Sequence, residues 1–268
     1  MPIGSLIGDF VGARFERHNT HLTAFDWISP QSRFTDDTVL TLATCRALLD
    51  DLPYPKAYRD AVQRFPGVGY GKNFQQWALG PPTLGTPRSP GNGAAMRVSP
   101  IAWAKTSLTD VLAAATSSAR STHDHPEAIA GACAVAAGVF ILRTGGALAD
   151  ACAQAEALGM LQPLTIEAWR KRPWSALAKH TVPVAFAALQ AGHDFESTVR
   201  LAISAGGDSD TIACMAAALA QARWNLPRPL AAPILGQLQR AAPSLHQRLQ
   251  SFCVRFHVPP PHPESPHV

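Results

Sequence analysis

Apolar residues recur at helical spacing in segments 38–49, 107–119, 128–142, 147–158, 175–190, 196–204, 211–224 and 230–240. Sustained alternation of apolar and polar residues rich in Val, Ile, Thr and aromatics is missing, so no sheet is expected. The 23 prolines and 19 glycines fall mostly between the helical segments, where they act as punctuation. Pro81, Pro82, Pro87, Pro90 and Gly91 mark one long loop over 80–93. From Val258 the chain reads Pro-Pro-Pro-His-Pro-Glu-Ser-Pro-His-Val, a composition that cannot form a helix and predicts an unstructured tail. No repeat and no linker divides the rest. The pattern predicts a single all-α multi-helix domain over 1–257 and a Pro-rich tail over 258–268. Loops gathered at one end of such a fold carry the chemistry.

Composition narrows the function. Charged residues make up 16% of the chain, against about 25% in ordinary domains, which favours a buried, compact chain. The net charge of +4 is small and spread along the sequence, with no basic run to track a phosphate backbone, so nucleic-acid binding is not expected. The longest apolar run, 132–142, is too short to cross a bilayer. The N-terminal stretch lacks a positive region and is interrupted by Asp9, so neither a signal peptide nor a membrane anchor is expected. Cys45, Cys133, Cys152, Cys214 and Cys253 lie far apart with no CxxC, which reads as buried free thiols in a cytoplasmic protein.

Two stretches place several oxygen donors at the start of an apolar helix. One is Phe34-Thr35-Asp36-Asp37-Thr38 and the other is Gly206-Gly207-Asp208-Ser209-Asp210-Thr211. Helix capping accounts for part of this: Thr35, Asp208 or Ser209 can serve as N-cap, and acids are favoured in a first turn. Capping needs one side-chain oxygen, however, and each stretch offers several. Four carboxylates with threonine hydroxyls are hard ligands suited to Mg²⁺, Mn²⁺ or Ca²⁺ rather than zinc. If the two openings meet in space, they can hold two metal ions, bind neighbouring substrate oxygens and activate water.

Other elements surround these. Gly4, Gly8 and Gly12 line one helix face and permit close packing, but they leave Asp9 and Glu16 unexplained. Asp9 suits a supporting acceptor and Glu16 a catalytic carboxylate. Gly91-Asn92-Gly93-Ala94-Ala95-Met96-Arg97 offers exposed amides, either as a phosphate nest or as an ordinary turn before a helix. It lacks the Lys-Ser/Thr of a P-loop. Thr122-His123-Asp124-His125 lacks a third ligand at zinc spacing. His123 is free to bond a phosphate or orient a side chain, while His125 caps a helix or faces solvent. No G-x-S-x-G elbow supports a nucleophilic serine.

In order along the chain, these elements resemble the ADP-ribosylglycohydrolase family, which includes the dinitrogenase reductase-activating glycohydrolase and the ADP-ribosylarginine hydrolases. The resemblance runs from Gly4–Asp9 with Gly12 and Glu16, through Phe34–Thr38, Gly91–Arg97 and Thr122-His123, to Gly206–Ala213, and spans about 3–224. The segment Gly69–Trp77 looks like a bacterial branch of the family. The proline-rich run 85–90 departs from its pattern, and nothing after Trp224 is matched.

The resemblance implies an all-α fold with two divalent cations, Mg²⁺ or Mn²⁺. It implies that Thr35, Asp36, Asp37, Asp208, Asp210 and Thr211 are the metal ligands. Glu16 would lie beside the metals, with Glu16, Asp36 and Asp37 as candidate bases. Gly91, Asn92, Gly93, Met96 and His123 would line the ADP-ribose site. The expected reaction is metal-dependent hydrolysis at C1″ of an ADP-ribosylated substrate, releasing ADP-ribose. ADP-ribosyl-arginine on a protein is the expected substrate, and an ADP-ribosylated nucleic acid is the less expected one. The competing readings are an ADP-ribose-binding immunity or regulatory module without turnover, and a hydrolase of a small metabolite such as an O-acyl-ADP-ribose.

Overall fold

The computed structural model describes residues 2–263. Helix α1 (Ile3–Gly12) is buried along its whole length, and Asp9 is its one charge. A 3₁₀ turn (Ala13–Phe15) and a connection over 16–35 lead to α2 (Asp36–Leu49), α3 (Tyr54–Arg64) and α4 (Lys72–Leu79). After the proline-rich loop come the short helices α5 (Gly93–Met96) and α6 (Ser99–Ala104), then α7 (Leu108–Arg120), α8 (Pro126–Arg143), α9 (Leu148–Ala157) and the short α10 (Ile166–Trp169). The chain ends in α11 (Ala178–Ala191), α12 (Phe195–Ser204), α13 (Ser209–Arg223), α14 (Arg228–Ala241) and α15 (Pro243–Arg255). Pairing of the strand type among the described residues is limited to two isolated bridges, Gly91 with Leu177 and Pro227 with His262.

The fold is all-α, as the apolar spacing predicts, and each expected helical segment is a helix with ends shifted by three residues or fewer. The pattern gave no sign of α3, α4 and α15, nor of the short α6 and α10. Helix α3 buries only Ala57, Tyr58, Ala61 and Val62, and α15 only Leu249, Phe252 and Cys253. Such narrow stripes among polar residues make no long apolar run.

Helix α13 lies at the centre, packed on α1, α8, α11 and α12. Its closest partner is α1, because the glycines of α1 admit the α13 backbone. A Cβ at Gly8 would stand 2.1 Å from the Ala213 carbonyl oxygen, and one at Gly4 2.3 Å from that of Ala217. This contact brings the end of α1 to the start of α13, and α2 packs beside both.

Helix α8, with 18 residues, is long and apolar enough to cross a membrane. Here it is a core helix against α7, α9, α5 and α13. All five cysteines are buried and free. In the segment expected to be without structure, Val258 is buried. The His262 N–H donates to the Leu226 carbonyl (2.9 Å), and its carbonyl accepts from Arg228 N–H (2.8 Å). Residues 264–268 lie outside the described residues.

Candidate active site

The starts of α2 and α13 converge with the end of α1. Thr35 is the N-cap of α2, its hydroxyl accepting from Asp37 N–H at 3.3 Å. The turn is tied down from α1 by Asp9. One oxygen of Asp9 accepts from the Thr35 hydroxyl (2.7 Å), and the other accepts from the N–H groups of Thr35 (2.9 Å) and Thr38 (3.1 Å) and from the Thr38 hydroxyl. Asp9 therefore holds the opening of α2 in place as a supporting acceptor. It is also nearer the site than that role requires. Single carboxylate oxygens of Asp9, Asp37 and Asp210 lie within 4.8 Å of one another.

At α13 the backbone turns through Gly206 and Gly207, both at positive φ (79° and 75°), a conformation that suits glycine. Asp208 precedes the helix but its side chain makes no capping bond. Its carboxylate accepts instead from the Asn92 side-chain amide at 2.7 Å, which joins this opening to the Gly91–Arg97 segment. The Thr211 hydroxyl donates to Asp37 at 3.3 Å, which joins the two openings.

These carboxylates are crowded out of water, which penalises their charged forms. Burial, and then the neighbouring Asp210, pushes Asp9 up to about 7. Burial, and then Asp9 and Asp210, pushes Asp36 up to about 8. Burial also raises Asp37 and Asp208 well above the carboxylate range and raises Asp210. Asp37 Oδ1 is buried without a hydrogen-bond partner. Hard oxygen donors, mutual repulsion and an orphaned carboxylate oxygen together fit a divalent cation, which would satisfy all three at once.

A cleft of about 530 Å³ opens above this cluster. The residues expected to bind metal, bind substrate or act as base all line it: Glu16, Thr35, Asp36, Asp37, Gly91, Asn92, Gly93, Met96, His123, Asp208, Asp210 and Thr211. Glu16 stands at the mouth with Arg17 at 3.7 Å. Burial and Asp210 raise its proton affinity, against the pull of Arg17 and Arg33. Across the cleft, Gly91 and Asn92 pair with the segment before α11, Asn92 N–H donating to the Ala176 carbonyl at 2.8 Å. His123 is buried, whereas His125 is used as the N-cap of α8, accepting from Glu127 N–H at 3.2 Å.

Three residues of this region were not legible as parts of the site. Asn19 fastens the Gly206-Gly207 turn, accepting from Gly207 N–H (2.8 Å) and donating to the carbonyls of Phe15 (2.7 Å) and Gly207 (3.1 Å). Trp174, 55% exposed, stands at the rim. Arg33 lines the mouth. Each reaches the site from an irregular segment that carries no periodic signal.

Comparison with known proteins agrees with this fold. A solved structure described as an ADP-ribosylglycohydrolase-related protein complex shares 27% sequence identity, with 95% of this chain and 94% of that one covered and a TM-score of 0.69. The sequence profile of the ADP-ribosylglycohydrolase family matches residues 1–257, beyond the stretch ending near Trp224 that the motifs delimit, so α14 and α15 are part of the family's domain. With residues 1–257 matched, the chain belongs to the ADP-ribosylglycohydrolase family, hydrolases acting on the glycosyl bonds of ADP-ribosylated substrates.

Proposed function

We propose that this hydrolase depends on two divalent cations, Mg²⁺ or Mn²⁺, and that it removes ADP-ribose from arginine side chains of proteins. The observation that carries the metal reading is the buried Asp9, Asp37 and Asp210 cluster with the unpartnered Asp37 Oδ1 at the base of the cleft. Thr35, Asp36, Asp37, Asp208, Asp210 and Thr211 are the residues that would hold the cations, with Asp9 behind them. Bound there, such ions supply Lewis acidity and a seat for neighbouring hydroxyls of a sugar.

The chain's own groups do the rest. Breaking a bond at C1″ develops positive charge on the ribose, and the carboxylates gathered at the cleft floor, ionised when cations are bound, would stabilise that charge in a site shielded from water. Glu16 sits at the mouth, where the leaving group departs. Its raised proton affinity suits a group that holds a proton for the leaving nitrogen or takes one from water. Arg17, Arg33 and Lys72 line the same cleft and favour the anionic diphosphate part of the substrate. The arginine linkage is supported by the resemblance to arginine-specific members and by the Glu16 carboxylate, which attracts a cationic guanidinium.

The test is release of free ADP-ribose from arginine-, serine- and nucleobase-linked conjugates at equal concentration, with chelator and with Mg²⁺ or Mn²⁺. The proposal expects the arginine conjugate to be cleaved fastest, with turnover lost in chelator and restored by metal. Faster cleavage of another linkage overturns the arginine assignment alone. Full turnover in chelator overturns the metal dependence. Tight ADP-ribose binding with no turnover on any conjugate would point to a binding module.

A further inference from the structure

Arg97 is fully buried at the end of α5, yet it pairs with no carboxylate among the described residues. Its guanidinium lies 4.0 Å from the centre of the Tyr58 ring and 5.4 Å from that of Phe74, which supplies cation–π attraction. The Tyr58 hydroxyl is itself fixed by Thr44 (3.0 Å) and Ser118 (2.7 Å). Nε and Nη1 of Arg97 have no partner, so its hydrogen bonding rests on Nη2, which donates to the Thr122 hydroxyl. Thr122 Oγ1 then lies 2.8 Å from Nδ1 of His123.

A hydroxyl has one hydrogen to give, and Arg can only donate. Thr122 is 1% exposed, and among the described residues His123 Nδ1 is the one acceptor within reach of its hydrogen. If His123 donated from Nδ1, the Thr122 hydrogen would be buried with no acceptor, a cost folded proteins avoid. Nδ1 is therefore the acceptor, and the ring proton belongs on Nε2. That nitrogen lies over the cleft-lining glycines, where a Cβ at Gly93 would stand 3.0 Å from it. Among the described residues Nε2 has no protein partner.

We propose that Arg97 and Thr122 are positioning residues which lock the His123 imidazole into the tautomer protonated on Nε2, making it a fixed donor to an acceptor oxygen of the substrate. The substrate part of this rests on the cleft being the ADP-ribose site. The tautomer part does not. Burial and the adjacent Arg97 cation also hold the ring neutral, its proton affinity pushed down to about 3, so His123 recognises an oxygen rather than exchanging protons at neutral pH.

The test uses ¹⁵N-labelled full-length protein without substrate, with His123 assigned by its loss in His123→Gln. Long-range ¹H–¹⁵N correlations should show one tautomer, with Nε2 protonated and Nδ1 bare. Thr122→Val should lose that signature and weaken ADP-ribose binding by about tenfold in calorimetry, the loss of one buried hydrogen bond. KM should rise more than kcat falls, and Thr122→Ser should restore both the signature and the affinity. Arg97→Gln, which removes the donor-only partner, should give a mixture of tautomers. A wild-type ring protonated on Nδ1 overturns the proposal even if no variant folds. So does a folded Thr122→Val that keeps both the Nε2 proton and full affinity. If no ADP-ribosylated substrate is cleaved, the functional reading fails while the spectrum still decides the tautomer.

Discussion

Glu16 and Asp37 do different work, and single substitutions separate them. Glu16→Gln keeps the shape of the mouth but can neither hold nor take the relevant proton. It should lower kcat by roughly 10²–10⁴-fold while leaving calorimetric affinity for ADP-ribose nearly unchanged. Asp37→Asn removes one of several repelling, buried carboxylates. In chelator its thermal midpoint should match or exceed that of the wild type, and added Mg²⁺ should no longer raise it. A wild-type response to Mg²⁺ would remove Asp37 from the ligand set. Asn19→Ala leaves Gly207 N–H without its 2.8 Å acceptor. Because the bond is exposed, its loss should cost about 0.5–1.5 kcal/mol in chemical denaturation and slow turnover as the Asp208–Thr211 opening loosens. The sequence displayed Asp37 and its companions because they sit in dense local motifs, whereas Glu16 stood out chiefly through the family resemblance. Asn19 gave no such signal, since its partner Gly207 is 188 positions away and the connection is made only by folding.

Helices place these residues, and here glycine matters more than propensity. Gly8→Ala would drive a methyl group to 2.1 Å from the Ala213 carbonyl oxygen, where backbone must yield. Overpacking of this kind costs about 1–3 kcal/mol or more. The strain falls one residue before Asp9, so activity should drop further than the stability loss alone explains. Gly85→Ala meets nothing within 4 Å and serves as a control, expected to change stability by less than about 0.5 kcal/mol. Comparison of the two by thermal denaturation and turnover checks this. The close packing was readable from the spacing of Gly4, Gly8 and Gly12. Its partner helix was not, because the positions that receive them, Ser209, Ala213 and Ala217, lie in a helix with alanine on its other faces as well.

Across the whole molecule, the acidic cluster links folding to pH and metal. Asp9 and Asp36 keep their protons to about 7 and about 8, whereas the ordinary value is 3.8. Folded-state values raised in this way give stability that is fully present below the ordinary value and lost as pH rises through the folded one. His123 has the opposite sign: held down to about 3 from 6.5, it costs stability only as pH falls below 6.5. Between about pH 6.5 and about pH 9 the carboxylates therefore dominate among these groups. In chelator the thermal midpoint should fall across that range, by about 2–4 °C for each 1 kcal/mol lost. Saturating Mg²⁺ should flatten the slope, because a bound cation offsets the repulsion that holds those protons. An unchanged slope with metal would mean that the cluster does not meet the ion. The all-α class was legible because apolar spacing is local. The cleft was legible only through its motifs, since the approach of α1, α2 and α13 depends on contacts between distant parts of the chain.

Because the helix at the centre of the fold is α13, the ribosome delivers the middle of this protein late. A nascent chain ending at residue 208 has made α1, α8, α11 and α12 and one acidic opening, but it lacks the helix on which all four pack. Its apolar faces must wait, partly unsatisfied, for Ser209–Arg223 to emerge. When that segment docks into the glycine groove of α1, it fills the centre of the core and brings Asp210 to Asp9 and Asp37. Truncated products of interrupted synthesis should accordingly be targets for chaperones and proteases, and they should be silent as enzymes.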